Sequence, residues 1–184
     1  MNRQQHSSNL AWLDLEMTGL DPADQVILQA ALIVTNAKLE PLEELCLDVW
    51  QPDHLLANMS PFVRTMHETN GLLERSRASK VEVRDAERQL IERITGWCPY
   101  PAVLCGNTIG QDRRFIEKYM PGLGGYLHYR MVDVSALKVL MRLWYGDDAE
   151  FKKPETGAHD ALFDTRQSIA ELKFYQSRFF KPRG

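Results

Sequence analysis

Residues 10–16 read Leu-Ala-Trp-Leu-Asp-Leu-Glu, an apolar run too short for a helix of ordinary length and too apolar for a loop. Such a run is a strand, and one this apolar belongs inside a sheet with both faces covered. Side chains alternate along a strand, so Asp14 and Glu16 share one face while Leu13 and Leu15 share the other. Two neighbouring carboxylates repel each other, and each is costly to bury without a partner. A divalent cation between them removes that cost. The plainer alternative is a strand with one solvated face.

The rest of the chain builds outward from this strand. Residues 26–35 form a second apolar run, and residues 45–50 alternate as a third, closed by Gln51-Pro52. The joins, at residues 21–24 and 36–40, are short and polar, which predicts an antiparallel meander. From Val81 to Trp97 the apolar residues Val83, Ala86, Leu90, Ile94 and Trp97 recur at helical spacings, and Pro99-Tyr-Pro101 ends that amphipathic helix. Ala102-Val-Leu-Cys105 is a fourth, buried strand leading into Gly106-Asn-Thr-Ile-Gly110, with a helix over residues 111–119 behind it. Residues 131–134 form a fifth strand that passes into a helix at 135–144, with Ser135 as its N-cap. A polar loop fills residues 146–157, and a final helix runs over 161–179. Strands first and strand–helix alternation afterwards define an α/β domain: a mixed five-stranded sheet flanked by helices. No repeat and no Gly/Ser linker divides residues 1–184, which are expected to form a single domain.

Composition narrows the function. The chain has 184 residues, 44% of them hydrophobic, enough to bury roughly 70% of its unfolded surface and too many for a disordered protein. No apolar stretch approaches the roughly 18 residues of a membrane span. The N-terminal MNRQQHSSNL lacks the apolar core of a secretory signal. Cys46, Cys98 and Cys105 are odd in number and without CxxC spacing, so reduced thiols in a cytoplasm fit better than a disulfide framework or a zinc site. A net charge of −3 argues against a protein that coats long duplex nucleic acid, and leaves room for a small anionic ligand.

Three further polar residues join Asp14 and Glu16. Asp112 falls in the first turn of the helix after the Gly-Asn-Thr-Ile-Gly turn, where an acid also complements the helix dipole. Arg113 and Arg114 beside it are either a solvated face or positive charge near an anion. His159 and Asp164 stand five residues apart, about 140° around an ideal helix, so they converge only if His159 lies in the preceding loop. Gly157 would then let that loop turn. Asp160 suits the N-cap of the final helix, and it is also a rival ligand at four residues from Asp164. Separated carboxylates at strand and helix ends, with one titratable imidazole, are what two-metal phosphodiester hydrolysis requires. Carboxylates hold hard cations, and an imidazole of ordinary pKa near 6.5 takes a proton from water.

The same residues carry a family resemblance. Asp14-Leu-Glu16-Met-Thr-Gly-Leu-Asp-Pro22, Cys105-Gly-Asn-Thr-Ile-Gly-Gln-Asp112-Arg-Arg-Phe115, Tyr129-Arg-Met-Val-Asp-Val-Ser135 and His159-Asp-Ala-Leu-Phe-Asp164-Thr-Arg-Gln-Ser168 resemble the motifs of the DEDDh (DnaQ-like) exonucleases. The likeness runs from about Leu10 to Tyr175. It implies an RNase H-like fold and a homodimer. It implies that Asp14, Glu16, Asp112 and Asp164 hold two Mg²⁺ or Mn²⁺ ions, with His159 as general base. The implied activity is 3′–5′ exoribonuclease cleavage of very short oligoribonucleotides carrying a 5′-phosphate, dinucleotides above all, to nucleoside 5′-monophosphates. Short DNA or structured RNA 3′ ends are the alternative substrates. Thr108, Arg130 and Ser135, with Tyr129 from the partner chain, would cap the 5′-phosphate; Leu20 and Phe62 would pack on the bases, with His67 beside the substrate. Three positions depart from the family: Gln29 where a Glu is usual, Thr108 for Ser, and Phe62 for Trp.

Overall fold

The structure, a computed structural model, describes residues 5–154 and 159–181. Three strands come first, β1 (Leu10–Met17), β2 (Ile27–Thr35) and β3 (Pro41–Asp48), and they form the expected antiparallel meander. A helical stretch follows: α1 (Asp53–Leu56), α2 (Pro61–Thr69), α3 (Leu72–Ala78) and α4 (Val83–Trp97). The chain then alternates through β4 (Ala102–Gly106), α5 (Gly110–Tyr119), α6 (Pro121–Tyr126), β5 (Leu127–Asp133), α7 (Val134–Tyr145) and α8 (Ala161–Phe179). The sheet order is β3-β2-β1-β4-β5, with β4 parallel to both β1 and β5. The predicted mixed sheet is therefore found, with β1 at its centre.

Every residue of β2 is buried, and β1 packs on both faces. Leu13 and Leu15 join Leu90, Ile94, Phe115 and Ile116 in the core on one side. Trp12 packs with Ile169 and Tyr175 of α8 on the other, and its indole N–H donates to Thr35 Oγ1 at 3.0 Å. Asp14 and Glu16 thus face the α8 side of a central strand, which rules out the alternative of one solvated face.

The differences from sequence have local causes. β3 starts at Pro41 and ends at Asp48, earlier than residues 45–50, because its leading residues are the polar alternation of an edge strand. β5 begins at Leu127 rather than 131 for the same reason. The N-cap of α7 is Asp133, whose carboxylate accepts the Ser135 N–H at 2.9 Å; Ser135 sits inside the first turn. Asp160 caps α8 as expected, accepting the Phe163 N–H at 3.1 Å. The loop after α7 is not wholly irregular: Asp147–Ala149 is a 3₁₀ turn with Ala149 buried. Gly157 lies outside the described residues. Among the described residues no helix is long and apolar enough to cross a membrane.

Candidate active site

The site lies where strand order reverses around β1, at the carboxyl ends of the parallel strands, the usual place for a ligand crevice in an α/β sheet. β4 pairs with β1 only from Leu10 to Trp12, so the last residues of β1 run on beyond it. The Leu15 N–H, left without a partner from β4, donates to Asp112 Oδ1 at 2.8 Å. That bond docks the first turn of α5 against the strand carrying Asp14 and Glu16. The approach is close. A Cβ on Gly106 would lie 2.8 Å from the Leu13 carbonyl oxygen and 2.8 Å from Ile109 Cδ1, so the β4–α5 turn has room for glycine alone.

From α8, Asp164 completes the cluster. Asp14, Glu16 and Asp164 bring carboxylate oxygens within 4.8 Å of one another. Burial pushes the Asp14 carboxyl well above the ordinary range, and Asp112, Glu16 and Asp164 push it further, with Lys153 opposing. Burial, then Asp164 and Asp112, raises Glu16 to about 8. Asp112 is raised to about 7, again chiefly by burial and against the hydrogen bond from Leu15. A set of oxygen donors that cannot all ionise on their own, yet cannot separate, fits a hard divalent cation.

His159 sits in the turn before α8 with φ of +65°, its side chain exposed. Both its backbone polar groups are held. The N–H donates to Asp164 Oδ2 at 2.9 Å, and the carbonyl accepts from Asn70 Nδ2 at 2.7 Å. Asn70, between α2 and α3, was not expected to take part; an Asn-Gly pair marks a turn but says nothing of what its amide reaches. Asp160 is engaged by its capping bond and by Arg75, 3.8 Å from its carboxylate. This favours the cap over the ligand role.

The remaining candidates fall into two groups. At the ends of β4 and β5, Thr108 has φ of +51°, costly for a β-branched residue, and its N–H is held by Asp133 Oδ1 and Ser135 Oγ at 3.0 Å each. Thr108 Oγ1 and Ser135 Oγ are also 3.0 Å apart. Behind them Asn107, another residue the sequence did not single out, donates to Ser168 and to the buried Glu171. Tyr129 and Arg130 are exposed on β5, the guanidinium 5.2 Å from the tyrosine ring centroid. At the other group, Leu20 and Phe62 are the exposed apolar residues of the β1–β2 loop and of α2, at 72% and 77%. His67 of α2 is fully buried, its Nε2 bonded to the Met17 carbonyl at 2.9 Å, and burial lowers its pKa. That bond ties α2 to the first motif at the end of β1. Arg113 and Arg114 turn to the protein: Arg113 pairs with Glu117 and donates to the His128 carbonyl, while Arg114 holds Gln111 and the Leu20 carbonyl.

Comparison with known proteins bears on the family and the fold. A model of the exonuclease family of RNase T type matches residues 11–172. An oligoribonuclease of Francisella tularensis subsp. tularensis is 46% identical over 95% of this chain and 97% of its own. One of Mannheimia succiniciproducens is 47% identical over 98% of both. Among solved structures, Escherichia coli exonuclease I in complex with a 5cy-dT13 oligonucleotide superposes with a TM-score of 0.71 at 15% identity, over 95% of this chain and 41% of that one. A moderately thermophilic exonuclease I from Methylocaldum szegediense gives 0.66 at 18% identity, over 93% of this chain and 41% of its own. Both share the fold. The chain belongs to this exonuclease family, and its relatives at 46–47% identity place it in the oligoribonuclease branch.

Proposed function

We propose that the protein is a 3′–5′ exoribonuclease that degrades very short oligoribonucleotides, above all 5′-phosphorylated dinucleotides, to nucleoside 5′-monophosphates. The observation that carries this reading is the convergence of Asp14, Glu16 and Asp164 within 4.8 Å beside the docked Asp112 and the His159 turn. Asp14, Glu16, Asp112 and Asp164 would hold two Mg²⁺ or Mn²⁺ ions, which when bound supply Lewis acidity to the scissile phosphate and its attacking water. His159 takes the proton from that water at its imidazole, and its exposure lets it pass the proton to solvent. Leu20 and Phe62 present apolar surface for the bases, and His67 ties the helix that carries Phe62 to the Met17 carbonyl. Thr108, Arg130 and Ser135 offer two hydroxyls and a planar fork to the 5′-phosphate, and a closed recess there would bar longer RNA.

We infer that residues 1–184 act as one domain in a cytoplasmic homodimer. β5 is the last strand of the sheet, and Met131 on it and Val139, Leu143, Trp144 and Tyr145 on α7 are large apolar side chains left exposed. Such a face suits a second copy, whose Tyr129 would reach the recess. Purified protein assayed on 5′-phosphorylated dinucleotide, 5′-hydroxyl dinucleotide and longer RNA, with Mn²⁺ and with EDTA, tests the reading. Fast turnover of the first substrate alone, abolished by EDTA, is expected. Equal rates on all three would overturn the recess, and turnover in EDTA would overturn the metal chemistry.

A further inference from the structure

Gln29 stands where the family resemblance leads to a glutamate, directly opposite Glu16 in the β1–β2 register, and is 2% exposed. Both ends of its amide are occupied. Oε1 accepts the N–H of Ala161, the first residue of α8, at 2.8 Å, and Nε2 donates to Asp48 Oδ1 on β3 at 2.8 Å. The reverse orientation would set NH₂ against an N–H and oxygen against a carboxylate, so the amide has one allowed direction. Asp48 Oδ2 in turn accepts from Arg75 Nε at 3.1 Å. Arg75 reaches two more groups, donating through Nη1 to the Asn70 carbonyl at 3.0 Å and lying 3.8 Å from the Asp160 carboxylate through Nη2. Asn70 then holds the His159 carbonyl.

We propose that Asp48 is a positioning residue for the catalytic turn. Through Gln29 it fixes the first amide of α8, and through Arg75 and Asn70 it fixes the His159 backbone, so that one carboxylate sets both sides of the segment carrying His159 and Asp164. The negative charge absent at position 29 is carried one strand further out, and it reaches the helix N-terminus as a polarised amide. The pairing is specific. A glutamate at 29 would bring two carboxylates to hydrogen-bond distance in a buried place, whereas an alanine at 48 would leave a buried NH₂ without an acceptor. Made together, these changes leave one carboxylate accepting the Ala161 N–H directly, with the Asp48 carboxylate no longer opposing it.

The kinetic part of the test rests on the hydrolytic reading; the exchange part does not. Asp48→Ala, Gln29→Glu and the double variant are assayed for kcat and KM on 5′-phosphorylated dinucleotide, well below each unfolding midpoint, and Asp48→Ala and the double variant for hydrogen exchange at the Ala161 amide. Each single change lowers kcat about tenfold or more with KM little altered, and the double change recovers most of the loss. Asp48→Ala speeds Ala161 exchange, and the double variant slows it again. If Asp48→Ala fails to fold, Asp48→Asn keeps an acceptor for Gln29 while discharging the tie to Arg75, and its kcat falls by a smaller factor. Single variants with lowered midpoints but wild-type kcat and wild-type exchange would show a purely structural role and overturn the proposal. So would a double variant as slow as the product of the two single losses. If the wild-type chain hydrolyses nothing, the functional reading fails, and Ala161 exchange alone decides whether Asp48 positions the turn.

Discussion

The backbone N–H of His159 donates to Asp164 Oδ2, 2.9 Å away and five residues ahead in the chain. The proposed base and a proposed metal ligand are therefore one hydrogen-bonded unit, held through the main chain, and the imidazole itself makes no contribution to that link. His159→Ala should lower kcat by about 10²–10⁴-fold while metal affinity and the unfolding midpoint stay close to wild type. Isothermal titration with Mn²⁺ alongside initial-rate kinetics checks this; a large fall in metal affinity would contradict it.

The carboxylate cluster makes the metal-free protein sensitive to alkali. Glu16 rises from 4.5 to about 8 and Asp112 from 3.8 to about 7 on folding. A group whose folded pKa is raised stabilises the fold below its unfolded pKa, and that stability is lost as pH climbs through the folded value. In EDTA the unfolding midpoint should thus fall between about pH 4.5 and pH 8. Saturating Mn²⁺, which favours the ionised forms, should flatten or reverse the fall and release protons on binding near neutrality. Thermal scans across that pH range, with and without metal, supply the comparison.

Removing one of the repelling acids separates stability from catalysis. Asp14→Asn should abolish hydrolysis, yet raise the metal-free midpoint at alkaline pH by a few degrees, because a neutral amide removes the charge that burial and the neighbouring acids oppose. A metal-free midpoint below that of wild type would show that Asp14 is held by partners other than a cation.

Gly106→Ala should cost about 2 kcal/mol or more, since the new methyl meets the Leu13 carbonyl oxygen, a backbone atom that cannot swing aside. The shift would separate the β4–α5 turn from β1 and weaken the Asp112–Leu15 bond, so activity should fall further than stability. Chemical denaturation and kcat measured on one preparation decide the point.

The apolar face on α7 gives a test of assembly. Leu143→Glu places a charge at a side chain that is 73% exposed, so the folded subunit should tolerate it. Light scattering should report a monomer, with activity on 5′-phosphorylated dinucleotide reduced because Tyr129 of the partner no longer arrives. A dimer of unchanged stability would move the interface elsewhere.

Much of this was legible in the residues. The two-residue spacing of Asp14 and Glu16 in an apolar strand announces a shared face, and the five-residue spacing of His159 and Asp164 requires one loop and one helix; the structure has both. What could not be read was the stretch between β3 and α4. Its helices of 4, 9 and 7 residues are too short to show a period, and Gly71 begins α3 in the left-handed region. Asn70 and Arg75, which reach the catalytic turn, sit in that stretch, and their partners lie far away in sequence. Asp133 outdid Ser135 as the cap of α7 because its longer side chain accepts the amides of both Ser135 and Thr108.

The grip of Asp112 on the Leu15 amide ties the chemistry to the pleat of the sheet. A slip of β1 by one residue would turn Asp14 and Glu16 into the layer now filled by Leu13 and Leu15, and would carry that amide out of reach. Misaligned species formed during folding would therefore be inert, and nuclease action would arise only once the strands have found their final alignment.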